Sequence, residues 1–100
     1  MGLRVYTGGT FDLFHAGHVN FLKICKEIAG VSGTVTVSLN TDEFIYEYKK
    51  SYYILTYEQR YDVLIACRYV DNVIPNKDGK DSIPAIEDCS PDIIAIGSDW

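Results

Sequence analysis

The sequence predicts an α/β domain, a parallel sheet with helices packed on both faces. Three observations carry this. Strand-like and helix-like segments alternate along the whole chain, the pattern of strand–helix–strand units with right-handed crossovers. Ile93 to Ile96 is an unbroken apolar run of strand length, as in a strand buried on both faces. Polar clusters follow the strand-like segments at Thr7 to His18, Asn40 to Glu43 and Gly97 to Trp100. In such a sheet these clusters gather beyond the carboxyl ends of the strands, where ligands bind.

Leu3 to Thr7 reads as the first strand, broken by Gly8-Gly9. His18 to Ala29 reads as a helix. Its Val19, Leu22, Cys25 and Ala29 share one face, which Phe21, Ile24 and Ile28 widen, while Lys23, Lys26 and Glu27 face water. Gly30 stands at the C-cap position. Thr34 to Leu39 alternates with period two, a second strand. Asn40-Thr41-Asp42 supplies cap residues for a short helical turn, and Glu47 to Leu55 is a loop. Thr56 and Gln59 form a capping box for a helix that carries Tyr57, Tyr61, Leu64 and Ile65 on one face and ends near Arg68. Val70 to Ile74 is a third strand, stopped by Pro75, and a turn follows from Asn76 to Lys80. Asp81 to Cys89 is a short helix with Pro84 in its first turn, and Ile93 to Ile96 is the fourth strand.

Composition narrows the function. The 100 residues make one domain, 1–100, and 47% hydrophobic with 23% charged residues is an ordinary globular mixture, not a disordered one. A net charge of −5 argues against a nucleic-acid partner, since phosphate backbones reward cationic surfaces. No apolar run reaches the roughly 20 residues that cross a bilayer, so no membrane partner is expected. The N-terminus runs straight into a strand, without the pattern of a signal peptide. Cys25, Cys67 and Cys89 are scattered without metal spacing. They read as reduced thiols in the cytoplasm, and no protein-held metal is expected.

The chemistry concentrates in the string from Thr7 to His18. His15 and His18 are three apart, so both fall on the first turn of the helix. Helix N-termini carry unpaired N–H groups and partial positive charge, and two imidazoles added there make a dense donor set for a polyphosphate. Gly17 admits a close approach of backbone or ligand. Thr10 and the N–H of Phe11, at the strand exit, stand where another phosphate is cradled. The pattern is neither the dinucleotide Gly-x-Gly-x-x-Gly nor the Walker Gly-x-x-x-x-Gly-Lys.

Gly9-Thr10-Phe11-Asp12-x-x-His15-x-Gly17-His18 resembles the signature of the nucleotidyltransferases with the His-x-Gly-His motif. Within them the chain is most similar to the glycerol-3-phosphate cytidylyltransferases. That likeness rests on Thr41-Asp42-Glu43-Phe44, Tyr57-Glu58-x-Arg60, Arg68-Tyr69-Val70-Asp71-x-Val73-Ile74-Pro75 and Gly97-Ser98-Asp99-Trp100. Ser98 departs from the family, which usually has Asp there, and the family's Lys-x-Lys appears as Lys49-Lys50. The resemblance implies a Rossmann-like fold that is cut short at the C-terminus, before the family's closing segment. It implies transfer of CMP from CTP to a small phosphomonoester, glycerol 3-phosphate foremost, with release of pyrophosphate.

The resemblance also implies roles. His15 and His18 stabilise the triphosphate and the transition state, and Lys49 or Lys50 grips phosphate. Thr10, Phe11, Gly17, Arg60, Arg68, Asp99 and Trp100 serve the nucleotide, and Asp12 orients the acceptor or a metal. Mg²⁺ arrives with the triphosphate. Arg68 and Asp71 lie at or near the interface of a homodimer. Tyr46, Tyr48, Tyr52 and Tyr53 leave open a cage for a choline-like ammonium, and so a phosphocholine acceptor. Two other readings stay open: a domain that holds nucleotide without turnover, and an adenylyltransferase using ATP.

Overall fold

The computed structural model describes residues 2–43, 55–76, 86–87 and 89–96. Within them the elements run β1 (Arg4–Gly9), α1 (Ala16–Ala29), β2 (Thr34–Asn40), α2 (Tyr57–Ile65), β3 (Asn72–Asn76) and β4 (Ile93–Ile94). The four strands form one parallel sheet in the order β3-β2-β1-β4. Successive crossovers therefore step one way from β1 to β3, and the last returns past β1. The order of strands reverses at β1, so the carboxyl end of β1 is the switch point of this Rossmann-like fold.

The core lies between one face of the sheet and the two helices. Val5, Val35, Val37 and Leu39 from the sheet meet Leu22, Cys25 and Ala29 of α1 and Leu64 of α2. The Thr56 capping box is present as the sequence predicts: its hydroxyl accepts from Gln59 N–H, and the Gln59 side chain accepts from Thr56 N–H. Gly30, with φ 84°, closes α1 in a conformation that favours glycine. Asp71 ties three elements together. Its Oδ2 accepts from the N–H of Val35 at 2.7 Å and from Nζ of Lys26 at 2.9 Å.

Several boundaries differ from the sequence reading. Gly8 and Gly9 do not break β1 but pair with Ser38 and Leu39, because β2 offers ladder partners along the whole strand. α1 begins at Ala16 rather than His18, since His15 is its N-cap. Ile24 and Ile28 do not widen the buried face; they are exposed, because α1 meets the sheet along a narrow stripe. Lys26 bends to Asp71 and the carbonyl of Gly33 instead of facing water. α2 ends at Ile65, which is exposed, and buries Arg60 beside Leu64. β3 starts two residues late and runs through Pro75. It borders the described sheet on one side, where a residue without an N–H costs no ladder bond. β4 is not buried on both faces: among the described residues it pairs with β1 alone, Ile94 is 51% exposed and Ile96 is 87% exposed. Among the described residues no helix is long and apolar enough to cross a membrane.

Candidate active site

The loop from β1 into α1 opens the site. Phe11 and Leu13 both have left-handed backbone, at φ 52° and 51°. Such conformations cost about 1–3 kcal/mol each in residues other than glycine, so the surroundings must hold them. The Phe11 ring is buried, packed against Gly9, where a Cβ would stand 3.0 Å from the ring. Asp12 Oδ1 accepts the N–H of Leu13 at 3.1 Å and that of Leu55 at 2.8 Å, which fastens the loop to the segment before α2.

His15 and His18 then build a reciprocal cap. Nδ1 of His15 accepts the N–H of Gly17 at 3.0 Å, and the N–H of His15 donates to Nδ1 of His18 at 3.0 Å. Two otherwise orphaned N–H groups of the first turn are satisfied, as Ser or Thr with Glu or Gln would do elsewhere. Because each Nδ1 accepts, each neutral ring carries its proton on Nε2. The rings lie 4.0 Å apart, and His18 stacks on Phe14 at 5.3 Å and tilts against Phe11 at 5.4 Å. His18 is buried; that burial, with the adjacent His15, holds its imidazole below the ordinary value. A low value keeps the ring neutral and its cap intact. Gly17 serves this cap directly, since a Cβ there would stand 2.7 Å from Cε1 of His15.

Arg60 is fully buried behind the loop. Its Nε donates to the carbonyl of Leu55 at 3.1 Å, and Nη1 to the carbonyls of Thr10 at 3.0 Å and Asn40 at 2.7 Å. Nη2 donates to Oδ1 of Asp42 at 2.6 Å, and the other oxygen of Asp42 accepts from the N–H of Tyr57. One guanidinium thus joins the carboxyl ends of β1 and β2 to the start of α2. It is fully buried and offers no surface to a ligand. The Tyr57 ring lies 5.8 Å from Cζ of Arg60; burial first, then Tyr61, pushes its hydroxyl pKa up, against the opposing pull of Arg60.

Thr10, Phe11, Asp12, His15, Gly17 and His18 come together at the switch point, with Arg60 beneath them. Arg68 is exposed and lines a cleft of about 490 Å³ with Phe14 and Val19. Lys49, Lys50, Asp99 and Trp100 lie outside the described residues, as do Tyr46, Tyr48, Tyr52 and Tyr53. The sequence reading placed Asn40 and Asp42 in a polar cluster at the ligand end of the sheet without giving them roles, and it missed Asn76. Asn40 donates from Nδ2 to Oγ1 of Thr10 at 2.9 Å, and Asn76 from Nδ2 to Oδ1 of Asn40 at 3.0 Å. The available signal was position: Asn40 and Asn76 are the last residues of β2 and β3.

Among the described residues no group of three His, Cys, Asp or Glu could hold a metal ion, and Asp12 Oδ1 is committed to two main-chain N–H groups.

The family model described as Cytidylyltransferase-like matches residues 6–100. A glycerol-3-phosphate cytidylyltransferase of Staphylococcus aureus is 42% identical over 98 residues, covering 97% of this chain and 70% of that protein. An FAD synthase of Pyrococcus horikoshii is also 42% identical, over 97 residues, covering 97% of this chain. This chain spans 64% of that FAD synthase's length. The lipopolysaccharide core biosynthesis protein of Thermoplasma volcanium has a similar structure, with a TM-score of 0.86 at 26% identity, covering all of this chain and 78% of that one.

Proposed function

The chain belongs to the cytidylyltransferase-like family, and from that premise we propose that it transfers CMP from CTP to a small phosphomonoester, glycerol 3-phosphate first. The reciprocal cap of His15 and His18 carries this reading, because it fixes both imidazoles at the start of α1, where a helix N-terminus favours a polyphosphate. An oxygen of the phosphomonoester attacks the α-phosphorus of CTP; the new P–O bond forms, the bond to the β-phosphate bridge breaks, and pyrophosphate leaves with the electron pair. The attacking group is largely ionised at neutral pH, so no general base is required. What the site must supply is positioning and charge stabilisation.

In this reading His15 and His18 donate to oxygens that gain charge in the transition state. Thr10 and the Phe11 N–H hold the triphosphate, Gly17 keeps the cap open, and Lys49 or Lys50 grips phosphate. Asp99 and Trp100 border the base, Arg68 serves the nucleotide from the flank, and Asp12 orients the acceptor. Arg60 is a positioning residue. Mg²⁺ enters with the triphosphate. The enzyme works in the cytoplasm as a homodimer, with exposed Arg68 near the interface.

A second reading is favoured by the FAD synthases, as similar as the cytidylyltransferases. FAD is an adenylyl group joined to flavin mononucleotide, so that reading requires ATP. Calorimetric titration with CTP and ATP, with pyrophosphate release followed in the presence of glycerol 3-phosphate, phosphocholine or flavin mononucleotide, separates them. Tighter CTP binding and release with glycerol 3-phosphate are expected. Release with ATP and flavin mononucleotide instead would overturn the cytidylyl reading. CTP binding without release would mark a nucleotide-binding domain.

A further inference from the structure

Three polar side chains form a chain across the carboxyl ends of the sheet. Asn76 Nδ2 donates to Oδ1 of Asn40 at 3.0 Å, and Asn40 Nδ2 donates to Oγ1 of Thr10 at 2.9 Å. Thr10 and Asn40 are fixed as a pair, since Nη1 of Arg60 binds the carbonyl of each. Thr10 is half-buried, so its hydroxyl is within reach of a ligand, whereas Asn76 is buried and its Oδ1 has no partner.

The direction of this chain is physically determined. Flipping both amides would run it the other way, with Thr10 donating inward and the amide NH₂ of Asn76 left buried and unpaired. An orphaned buried N–H group is rarer than an under-satisfied carbonyl oxygen, so the observed direction is the less costly one. A hydroxyl has one proton and two lone pairs. With Asn40 donating to one lone pair, the proton of Thr10 points away from Asn40 and can be given to a ligand.

We propose that Asn40 is a positioning residue that makes Thr10 an outward hydrogen-bond donor, matched to an anionic phosphate oxygen. Without Asn40, the hydroxyl can spend its proton on the protein and present a lone pair that repels phosphate. The proposal rests on the nucleotidyl-transfer reading only for the identity of the anion as a nucleotide triphosphate.

A double-mutant cycle tests it, by calorimetric titration of parent, N40L, T10V and N40L/T10V with magnesium-CTP and, separately, with inorganic tripolyphosphate. T10V is expected to weaken both probes about tenfold, the scale of one hydrogen bond to a charged acceptor. N40L, uncharged and near-isosteric, is expected to cost several-fold in the parent and almost nothing in the T10V background. T10S, which keeps the hydroxyl, should bind like the parent. An N40L loss of equal size in both backgrounds overturns the proposal, because a purely structural role would be indifferent to the hydroxyl. Should N40L not fold by thermal melt, N40D reads the same coupling: its added charge costs alike in both backgrounds, and only the excess in the presence of Thr10 reports the relay. A parent that binds tripolyphosphate but not CTP, with coupling intact, overturns the nucleotide reading and leaves the relay standing. CTP binding without coupling overturns the relay alone, and binding of neither probe overturns both.

Discussion

The N–H of His15 donates to Nδ1 of His18 at 3.0 Å, and the two rings stand 4.0 Å apart. The Nδ1 atom of each ring is thereby committed to capping. The Nδ1 atoms hold the first turn of α1, so each neutral ring carries its proton on Nε2. If the Nε2 atoms serve the triphosphate as proposed, a substitution at either histidine perturbs cap and activity together unless it spares one nitrogen's role.

His18→Asn spares the cap. Its side-chain oxygen can stand near the place of Nδ1 and accept the N–H of His15, while nothing replaces Nε2. Turnover is expected to fall by about 10²–10³, the scale for losing one preorganised donor to a developing charge, with KM much less affected. The melting temperature should stay nearer the parent's than that of His18→Gln, which reaches the Nε2 position but abandons the cap. Steady-state pyrophosphate release with thermal melts of both variants checks this, and turnover within threefold of the parent in His18→Asn would remove the catalytic role.

Acid should loosen the fold through the same ring. Burial and then the neighbouring His15 hold His18 below its ordinary value of 6.5. In the window between the folded value and 6.5 the unfolded chain binds more protons than the folded one, so stability rises with pH there. This contribution is complete above 6.5 and is lost as the pH falls through the lowered folded value. Melting curves taken in steps from pH 8 to pH 5 should show this loss in the parent and a smaller one in His18→Asn. Parallel curves for the two proteins would mean that other groups set the acid limit.

Arg60 should be the costliest of these residues to lose. It is fully buried against Asp42, itself a quarter exposed. Removing one partner of a buried pair leaves the other charge uncompensated, at about 3–5 kcal/mol. Arg60→Ala also strips donors from the carbonyls of Leu55, Thr10 and Asn40. A fall in melting temperature of more than about 10 °C is expected for a domain this small. Arg60→Lys keeps charge but not the fork, and should recover only part of it. A small change on Arg60→Ala would mean that the guanidinium does not hold the strand ends together.

Much of this was legible in the sequence where one local rule decided the outcome. Thr56 with Gln59 predicted a helix start because a capping box is a contact between near neighbours. The string around His15 and His18 predicted a loop leading into a helix start beyond β1, because strand exit, glycine and helix start are contiguous. What stayed illegible depended on contacts across the sheet. Pro75 looked like a strand end and became part of β3, because only the strand order puts it at a border of the described sheet. Arg60 was expected to serve the nucleotide, and its burial beneath the loop was not legible, because its acceptors come from positions up to 50 residues away. Asn40 and Asn76, 36 apart, carry no local mark of meeting one another.

Gly17→Ala sets helix propensity against the cap. Alanine favours a helix over glycine by up to about 1 kcal/mol, so on that ground alone the variant should be more stable. Against it, the added Cβ would stand 2.7 Å from Cε1 and 3.0 Å from Nδ1 of His15. The ring must move, and losing a side-chain cap costs about 0.5–2 kcal/mol. The two effects nearly cancel, so the melting temperature should change by only a few degrees. Turnover does not share in that cancellation, because moving the His15 ring misdirects its Nε2 and frees the N–H of Gly17. A loss of about tenfold or more is expected, since small misplacements of a positioned group are costly. Nitrogen-15 chemical shifts of the imidazoles report the cause independently: the His15 Nδ1 signal should lose its hydrogen-bonded character while His18 keeps its own. Parent-like turnover with an unaltered His15 signal would mean that the helix start yields to the methyl group without disturbing the ring, and that Gly17 serves some other close approach.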